Sequence, residues 1–144
     1  MDLHFDPLQY RYPSRRRLVY GRRGMVCASQ PLAAQAGLDM IKKGGNAFDA
    51  ALAAAACLAV VEPMSCNMGG DGFALIWHEG KLYGLNASGV APMSLSADKV
   101  RELGFDQVPK EGWLPTMVPG APAGWAELNR RFGTLSLSQL FAPA

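Results

Sequence analysis

The sequence is poor in histidine and cysteine, the side chains that most often hold metals or serve in catalytic pairs. It contains two histidines, His4 and His78, and three cysteines, Cys27, Cys57 and Cys66. Neither set has the spacing of a metal site, so we predict no metal and no other cofactor. Three cysteines also argue against a disulfide framework and favour a reducing compartment.

Long apolar runs are absent as well. The longest run, residues 50–61, has 12 residues and is too short to cross a bilayer. The first 21 residues contain no apolar stretch of the kind found in secretory signals. We therefore expect a cytoplasmic protein that has no membrane partner.

Charge is scarce and unevenly placed. Charged residues make up 18% of the chain and apolar residues 49%, a balance typical of a folded domain rather than of disorder. Residues 1–23 form a basic arm with six arginines and two aspartates. Such an arm can bind nucleic acid, but this one is short and interrupted, so we favour a solvated arm and predict no nucleic-acid partner. Residues 24–144 form the second predicted unit.

Two helices are predicted in the first half of that unit. After a short apolar run at 25–28, interpreted as a strand, Ser29 or Gln30 can cap a helix that ends before Gly44-Gly45. Asn46 can cap the next helix, which Pro63 ends. Eight alanines between positions 47 and 59 leave this helix without a polar face, so we expect it to be buried.

The second half predicts a mixed arrangement. Apolar runs at 73–78 and 81–85, joined by Glu79-Gly80, indicate a hairpin. We further predict helices at 97–103 and 121–132 and a strand at 116–118. The order is typical of a layered fold that contains strands and helices. Residues 136–144 begin as a helix and stop in mid-pattern, so we expect a portion of a longer protein.

The glycine cluster at 69–72 is the most conspicuous candidate site. A phosphate-binding loop follows a strand and opens a helix, whereas this cluster follows a helix and opens a strand. We therefore favour a structural role, in which glycine lets two backbone segments approach closely. For Asp71, inside the cluster, and Glu62, before it, capping is favoured over acid–base chemistry. For His78, a role as general base lacks a visible nucleophile.

Ordered motifs across residues 24–144 resemble the gamma-glutamyltranspeptidase family. They are Gly24–Ser29 with Pro31–Ala33, Ala36–Leu38, Lys42–Ala47 with Asp49-Ala50, Val60–Pro63, Gly69-Gly70 with Gly72-Phe73, Ala91-Pro92, Val118–Gly120, Arg131–Gly133 and Leu140–Pro143. The resemblance implies an α+β fold, the N-terminal part of a four-layer αββα N-terminal-nucleophile hydrolase fold that is incomplete in this chain. It also implies a precursor that cleaves itself into a large and a small subunit.

The chemistry implied by the resemblance is amide hydrolysis or acyl transfer by a threonine at the start of the small subunit. This chain resembles only the first part of the large subunit. Neither Thr116 nor Thr134 matches the nucleophile, so we predict no catalytic residue here and expect the 144 residues alone to be inactive. The implied partners are the chain's own C-terminal small subunit, a small amide substrate and a heterotetramer of two large and two small subunits.

Position 88 departs from the family pattern. Members that act on glutathione have an arginine there, which binds the α-carboxylate of the substrate, and this sequence has Ser88 followed by Gly89-Val90-Ala91-Pro92. A serine hydroxyl carries no charge and cannot form the bidentate pair that arginine forms. The chain is therefore more similar to the acylase-like branch, which includes oxamate amidohydrolase, and we expect hydrolysis of a small amide, oxamate-like or acylase-like.

Two alternatives remain open at this point. One is a glutathione or γ-glutamyl hydrolase and transpeptidase, in which another arginine replaces the missing one. The other is a non-catalytic folded fragment that serves as a packing or interaction module.

Overall fold

A computed structural model describes residues 19–144. His4 and most of the predicted arm at 1–23 therefore lie outside the described residues. The described chain contains helices α1 (Pro31–Lys42) and α2 (Ala47–Val61), strands β1 (Gly72–His78) and β2 (Lys81–Ala87), and helices α3 (Ala97–Glu102), α4 (Ala121–Phe132) and α5 (Leu137–Phe141).

The first two helices begin at the residues that the sequence indicates. Gln30 caps α1 through its side chain, which accepts from the Leu32 N–H. Asn46 and Asp49 form a capping box at the start of α2, each accepting a backbone N–H of the other. Local capping chemistry therefore determines where both helices start.

The predicted burial of α2 holds for most of the helix. Its alanines, with Leu52 and Cys57, pack against α1, α5 and α4. The main core cluster joins Met40 of α1, Leu52 and Ala53 of α2, and Leu140 of α5. Ala51 and Val60, however, are exposed among the described residues.

The hairpin is antiparallel, and its register pairs Gly72 with Ala87 and His78 with Lys81. Glu79 and Gly80 form the turn with φ of 50° and 75°. Ile76, on one face, is only 8% exposed, and α4 contacts both strands. Phe73, Leu75, Trp77 and Leu82 lie on the other face, which is open in this part of the chain.

Two predicted strands are not formed among residues 19–144. Residues 25–28 have no regular secondary structure and pair with no strand in the described chain, whose sheet has two strands. Residues 116–118 also pair with no strand there, although the Thr116 N–H donates to the Trp113 carbonyl at 3.2 Å and the Val118 N–H to the Val90 carbonyl at 3.0 Å. A strand needs a neighbouring strand to satisfy its backbone groups, and an apolar run alone does not supply one.

Candidate functional site

The site is an open cleft at the carboxyl end of β2, with a volume of about 560 Å³. One side is the end of β2 with the loop that follows it, and the other is the first two turns of α4 with the residues that precede them. The lining residues are Leu85, Asn86, Ala87, Ser88, Gly89, Val90, Val118, Pro119, Gly120, Ala123, Gly124 and Glu127. A concave, largely apolar surface with a few polar groups is the usual form of a small-molecule site.

Ser88, the residue singled out by its departure from the family pattern, lines this cleft. Its backbone N–H donates to the Asn86 side-chain oxygen at 3.0 Å. Its hydroxyl lies 3.5 Å from the Gly89 carbonyl oxygen, at the limit of a hydrogen bond. The hydroxyl is therefore only weakly held by residues 19–144.

Two glycines bring the walls of the cleft together. Gly89 has φ of 79°, and a Cβ there would lie 2.0 Å from the Val118 carbonyl oxygen. A Cβ on Gly120 would lie 2.1 Å from the Ala87 carbonyl oxygen. Because real side chains never approach a backbone oxygen so closely, both positions require glycine, and the loop carrying Ser88 is held against the start of α4.

Glu127 is the single charged residue among those that line the cleft. Arg130 donates two hydrogen bonds of 2.8 Å to its carboxylate, and Arg131 donates a third. Hydrogen bonds from Arg130 and then Arg131 lower the pKa of Glu127 to about 2, so it is ionised at neutral pH. Within residues 19–144, no lysine or arginine lines the cleft in place of the family's arginine.

The glycine cluster at 69–72 contacts the start of α4, which forms one wall of the cleft. The Gly70 carbonyl accepts from the N–H groups of Gly120 and Ala121, at 3.0 and 3.1 Å, where α4 begins. A Cβ on Gly72 would lie 3.6 Å from the Ala121 Cα, so these two backbone segments pass close together. The cluster thus directs a carbonyl group at a helix N-terminus, an arrangement that stabilises the helix and occupies two of its N–H groups.

The other residues weighed in the sequence lie away from the cleft. The His78 ring makes edge contacts with Phe48 and Phe132 and lies 3.8 Å from the Glu79 carboxylate. Glu62, at the end of α2, accepts a hydrogen bond from the Ser29 hydroxyl. Asp71 is exposed within the glycine cluster.

Thr134 forms hydrogen bonds that hold the fold together. Its hydroxyl and its backbone N–H both donate to the carboxylate of Asp49, which is 0% exposed. The hydroxyl proton is thus held by a buried acceptor, and the exclusion of Thr134 as the nucleophile stays a prediction. Thr116 is exposed in the loop before α4.

Sequence reasoning missed Asn86 and Glu127 as cleft residues. Asn86 had a usable signal, because an asparagine two residues before a loop position often accepts that residue's N–H. Glu127 had none, since it lies 39 positions from Ser88 and only folding brings α4 beside the loop.

A comparison with family models matches residues 33–144 to the family described as Gamma-glutamyltranspeptidase. The chain belongs to this family. The recognition made from the motifs is therefore confirmed, and it covers most of the chain.

The names of the matched relatives give different activities. The chain is 39% identical over 131 residues to the glutathione hydrolase-like YwrD proenzyme of Bacillus subtilis, covering 88% of this chain and 24% of the relative. It is 37% identical over 135 residues to the acylase ACY 1 proenzyme of a Pseudomonas species, covering 86% of this chain and 24% of the relative. The chain thus spans about a quarter of the length of these two relatives.

Solved structures confirm the predicted fold class. The cephalosporin acylase of Bacillus halodurans matches with a TM-score of 0.87 and 56% identity, over 98% of this chain and 26% of the acylase. The gamma-glutamyltranspeptidase of Helicobacter pylori matches with a TM-score of 0.81 and 35% identity, over 89% of this chain and 38% of that structure. The described residues have the fold of one part of these N-terminal-nucleophile hydrolases.

Residues 19–144 contain neither a candidate membrane span nor a candidate metal cluster. No helix there is long and apolar enough to cross a membrane. No three His, Cys, Asp or Glu side chains in this range lie together as a metal site would require.

Proposed function

We propose that residues 24–144 are the N-terminal portion of the large subunit of a self-processing amide hydrolase. Its nucleophile is a threonine freed at the start of a small subunit, outside these 144 residues. The family match and the word proenzyme in the names of both relatives described above support this proposal. The small subunit is then the first partner, and a heterotetramer of two large and two small subunits is the proposed assembly, in the cytoplasm.

The open face of the hairpin supports the view that these residues belong to a larger fold. Phe73, Leu75, Trp77 and Leu82 are 67%, 83%, 72% and 66% exposed in the described chain. A contiguous apolar patch on a sheet is unusual at the surface of a soluble protein and is normally covered. Further layers, supplied by the rest of the protein, would cover it.

The substrate proposed is a small amide of the acylase type rather than a γ-glutamyl compound. The observation that carries this proposal is Ser88 in a cleft lined by no cationic side chain of residues 19–144. A γ-glutamyl group carries an α-carboxylate, which needs a positive partner in a partly desolvated site. The 56% identity to a cephalosporin acylase favours the same choice, and the side-chain amide of a cephalosporin is a candidate substrate. An oxamate-like amide is the other candidate of this class.

The full-length protein allows a direct test. We expect it to release ammonia from oxamate, or to hydrolyse a cephalosporin side-chain amide, with a higher kcat/KM than it shows for γ-glutamyl-p-nitroanilide. The contrary preference, for the γ-glutamyl anilide, would overturn the inference from Ser88 and favour a glutathione-type hydrolase.

Ser88→Arg is the matched variant. It restores the guanidinium at this position, and we expect kcat/KM for γ-glutamyl-p-nitroanilide to rise about tenfold or more, mainly through KM, since a charge-assisted pair is worth roughly 1.5–3 kcal/mol. Gln107→Ala, in an exposed loop away from the cleft, is the control and is expected to leave both activities unchanged. If Ser88→Arg alters neither substrate, the cleft does not hold the acyl group.

A further inference from the structure

We propose that the cleft selects acyl donors whose acyl group is apolar, uncharged and larger than acetyl, and that Val90 and Val118 determine this preference. Branched aliphatic and arylacetyl groups belong to this class. The inference rests on the proposed function, because it names the acyl group that the same amide hydrolase would accept. Of the two candidates given above, it favours a cephalosporin with an apolar side chain over an oxamate-like amide.

The first step is the position of the two valines. The loop after β2 crosses the segment before α4 at Gly89 and Gly120, where a Cβ would meet the opposite backbone. Beside this crossing, the Val118 N–H donates to the Val90 carbonyl at 3.0 Å, and both residues line the cleft. Since only backbone atoms form this bond, the two side chains are not needed to hold the segments together.

The second step is the exposure of these side chains. Among the described residues, Val90 is 66% exposed and Val118 is 50% exposed. Apolar side chains that line a cleft and leave half or more of their surface in water gain free energy when an apolar ligand covers them. The two valines therefore offer adjacent contact surface to the hydrocarbon part of an acyl group.

The third step is the chemistry of the other walls. Leu85 and Ala87 face α4, because a Cβ on Gly124 would lie 3.4 Å from the Leu85 Cδ1/Cδ2 pair's Cδ2 atom and 2.7 Å from the Ala87 Cβ. Pro119 and Ala123 add apolar surface to the lining. Among residues 19–144, no lysine or arginine lines the cleft, so a carboxylate that entered would lose water without gaining a cationic partner.

The fourth step is size. The cleft has a volume of about 560 Å³, within the range of sites that bind drug-sized molecules. Oxamate is far smaller, and it carries a carboxylate directly beside its amide, so it would leave most of the apolar walls in water. A branched aliphatic or arylacetyl group fills more of the cleft and buries more apolar surface.

Three anilides that differ only in the acyl group test this in the full-length protein. They are glutaryl-, 5-methylhexanoyl- and acetyl-p-nitroanilide, and the second carries an isopropyl group where the first carries its carboxylate. We expect kcat/KM for the 5-methylhexanoyl compound to exceed that for each of the others by about tenfold or more. The glutaryl compound must desolvate an unpaired carboxylate, and the acetyl compound lacks the apolar contact.

The double variant Val90→Ser with Val118→Ser removes the apolar contact and keeps the backbone bond. We expect it to lower kcat/KM for the 5-methylhexanoyl compound about tenfold, through KM, and to leave the acetyl compound within twofold. A merely structural role of the valines would lower both alike. Intact masses of the processed subunits check maturation, and Val90→Ser alone, with an expected loss of about threefold, gives the same comparison if the double variant does not mature.

Val108→Ser is the matched control. Val108 is also exposed, at 43%, but it does not line the cleft, so the same substitution there should leave all three anilides unchanged.

The outcomes separate this inference from the proposed function. If the wild type prefers the glutaryl or the acetyl compound, or if the serine variants slow the acetyl compound as much as the 5-methylhexanoyl compound, the selection by the valines is wrong while the amide hydrolase stands. If a processed protein hydrolyses none of the three anilides, nor oxamate, nor a cephalosporin side-chain amide, both proposals are wrong.

Discussion

At the scale of single residues, Asp49 shows how one carboxylate can join distant segments. It lies at the start of α2 and accepts from the Asn46 N–H, the Thr134 N–H and hydroxyl, and the Leu135 N–H. Burial raises the pKa of Asp49, but the bonds from Thr134, Asn46 and Leu135 outweigh it and leave the pKa below its ordinary value of 3.8. The charged form therefore stabilises the folded chain.

Asp49→Asn is expected to lower the free energy of unfolding by about 3 kcal/mol. The carboxamide replaces one acceptor by a donor, so it leaves part-buried N–H groups of the 134–135 segment without a full set of partners. Thermal or urea unfolding of the full-length protein measures the loss. Asp98→Asn is the control, because Asp98 pairs with Arg101 at an exposed site, where a change of at most about 0.5 kcal/mol is expected. Equal effects of the two changes would contradict the role given to Asp49.

The same carboxylate predicts a pH dependence. Because its folded-state pKa is depressed, its contribution is complete above 3.8, the ordinary value, and is lost as the pH falls below this value through the folded-state pKa. The wild type should therefore lose stability more steeply than Asp49→Asn as the pH falls below about 4. Unfolding midpoints of the wild type and of Asp49→Asn, measured at several pH values, test this prediction. An equal pH dependence of the two midpoints would contradict it.

At the scale of elements, the hairpin turn follows from two adjacent residues. Glu79 and Gly80 both have positive φ, of 50° and 75°, as a tight two-residue turn between twisted strands requires. Glycine tolerates this conformation and glutamate does so poorly. The turn therefore holds one favourable and one unfavourable residue.

Gly80→Ala should lower the stability of the protein by about 1 kcal/mol, and Glu79→Asn should raise it by a few tenths. A Cβ on Gly80 meets nothing within 4 Å, so the expected loss is conformational and involves no clash. Thermal unfolding of the two variants checks the opposite signs. A stabilised Gly80→Ala would mean that the turn adopts another conformation in the full-length protein.

Sequence patterns predicted the helices better than the strands, for a physical reason. The start of α2 depends on Asn46 and Asp49, which lie within four residues of each other. The strands proposed at 25–28 and 116–118 depend on partners elsewhere, and the described chain provides none. The residues of the cleft differ in the same way. Ser88 was identified from the sequence by its position in a motif. Glu127 could not be, because it reaches the cleft only through the packing of α4 against β2.

At the scale of the whole molecule, the apolar face of the hairpin predicts an interface within the full-length protein. Leu75 and Trp77 contribute to this open face, so replacing both by serine removes little packing among residues 19–144. In the full-length protein, the same double change should reduce the yield of processed, soluble subunits severalfold, because the covering layers lose their apolar partner. Unchanged yield and activity would indicate that the face stays open to solvent.

Self-cleavage of the full-length protein tests the central proposal most directly. Intact-mass measurement of the purified protein, together with the N-terminal residue of each fragment, identifies the cleavage site. We predict two fragments, the larger containing Ser88 and the smaller beginning with threonine, and we predict that substituting this threonine by alanine leaves a single uncleaved and inactive chain. A protein that stays in one piece, or whose amide hydrolysis survives that substitution, would contradict the account.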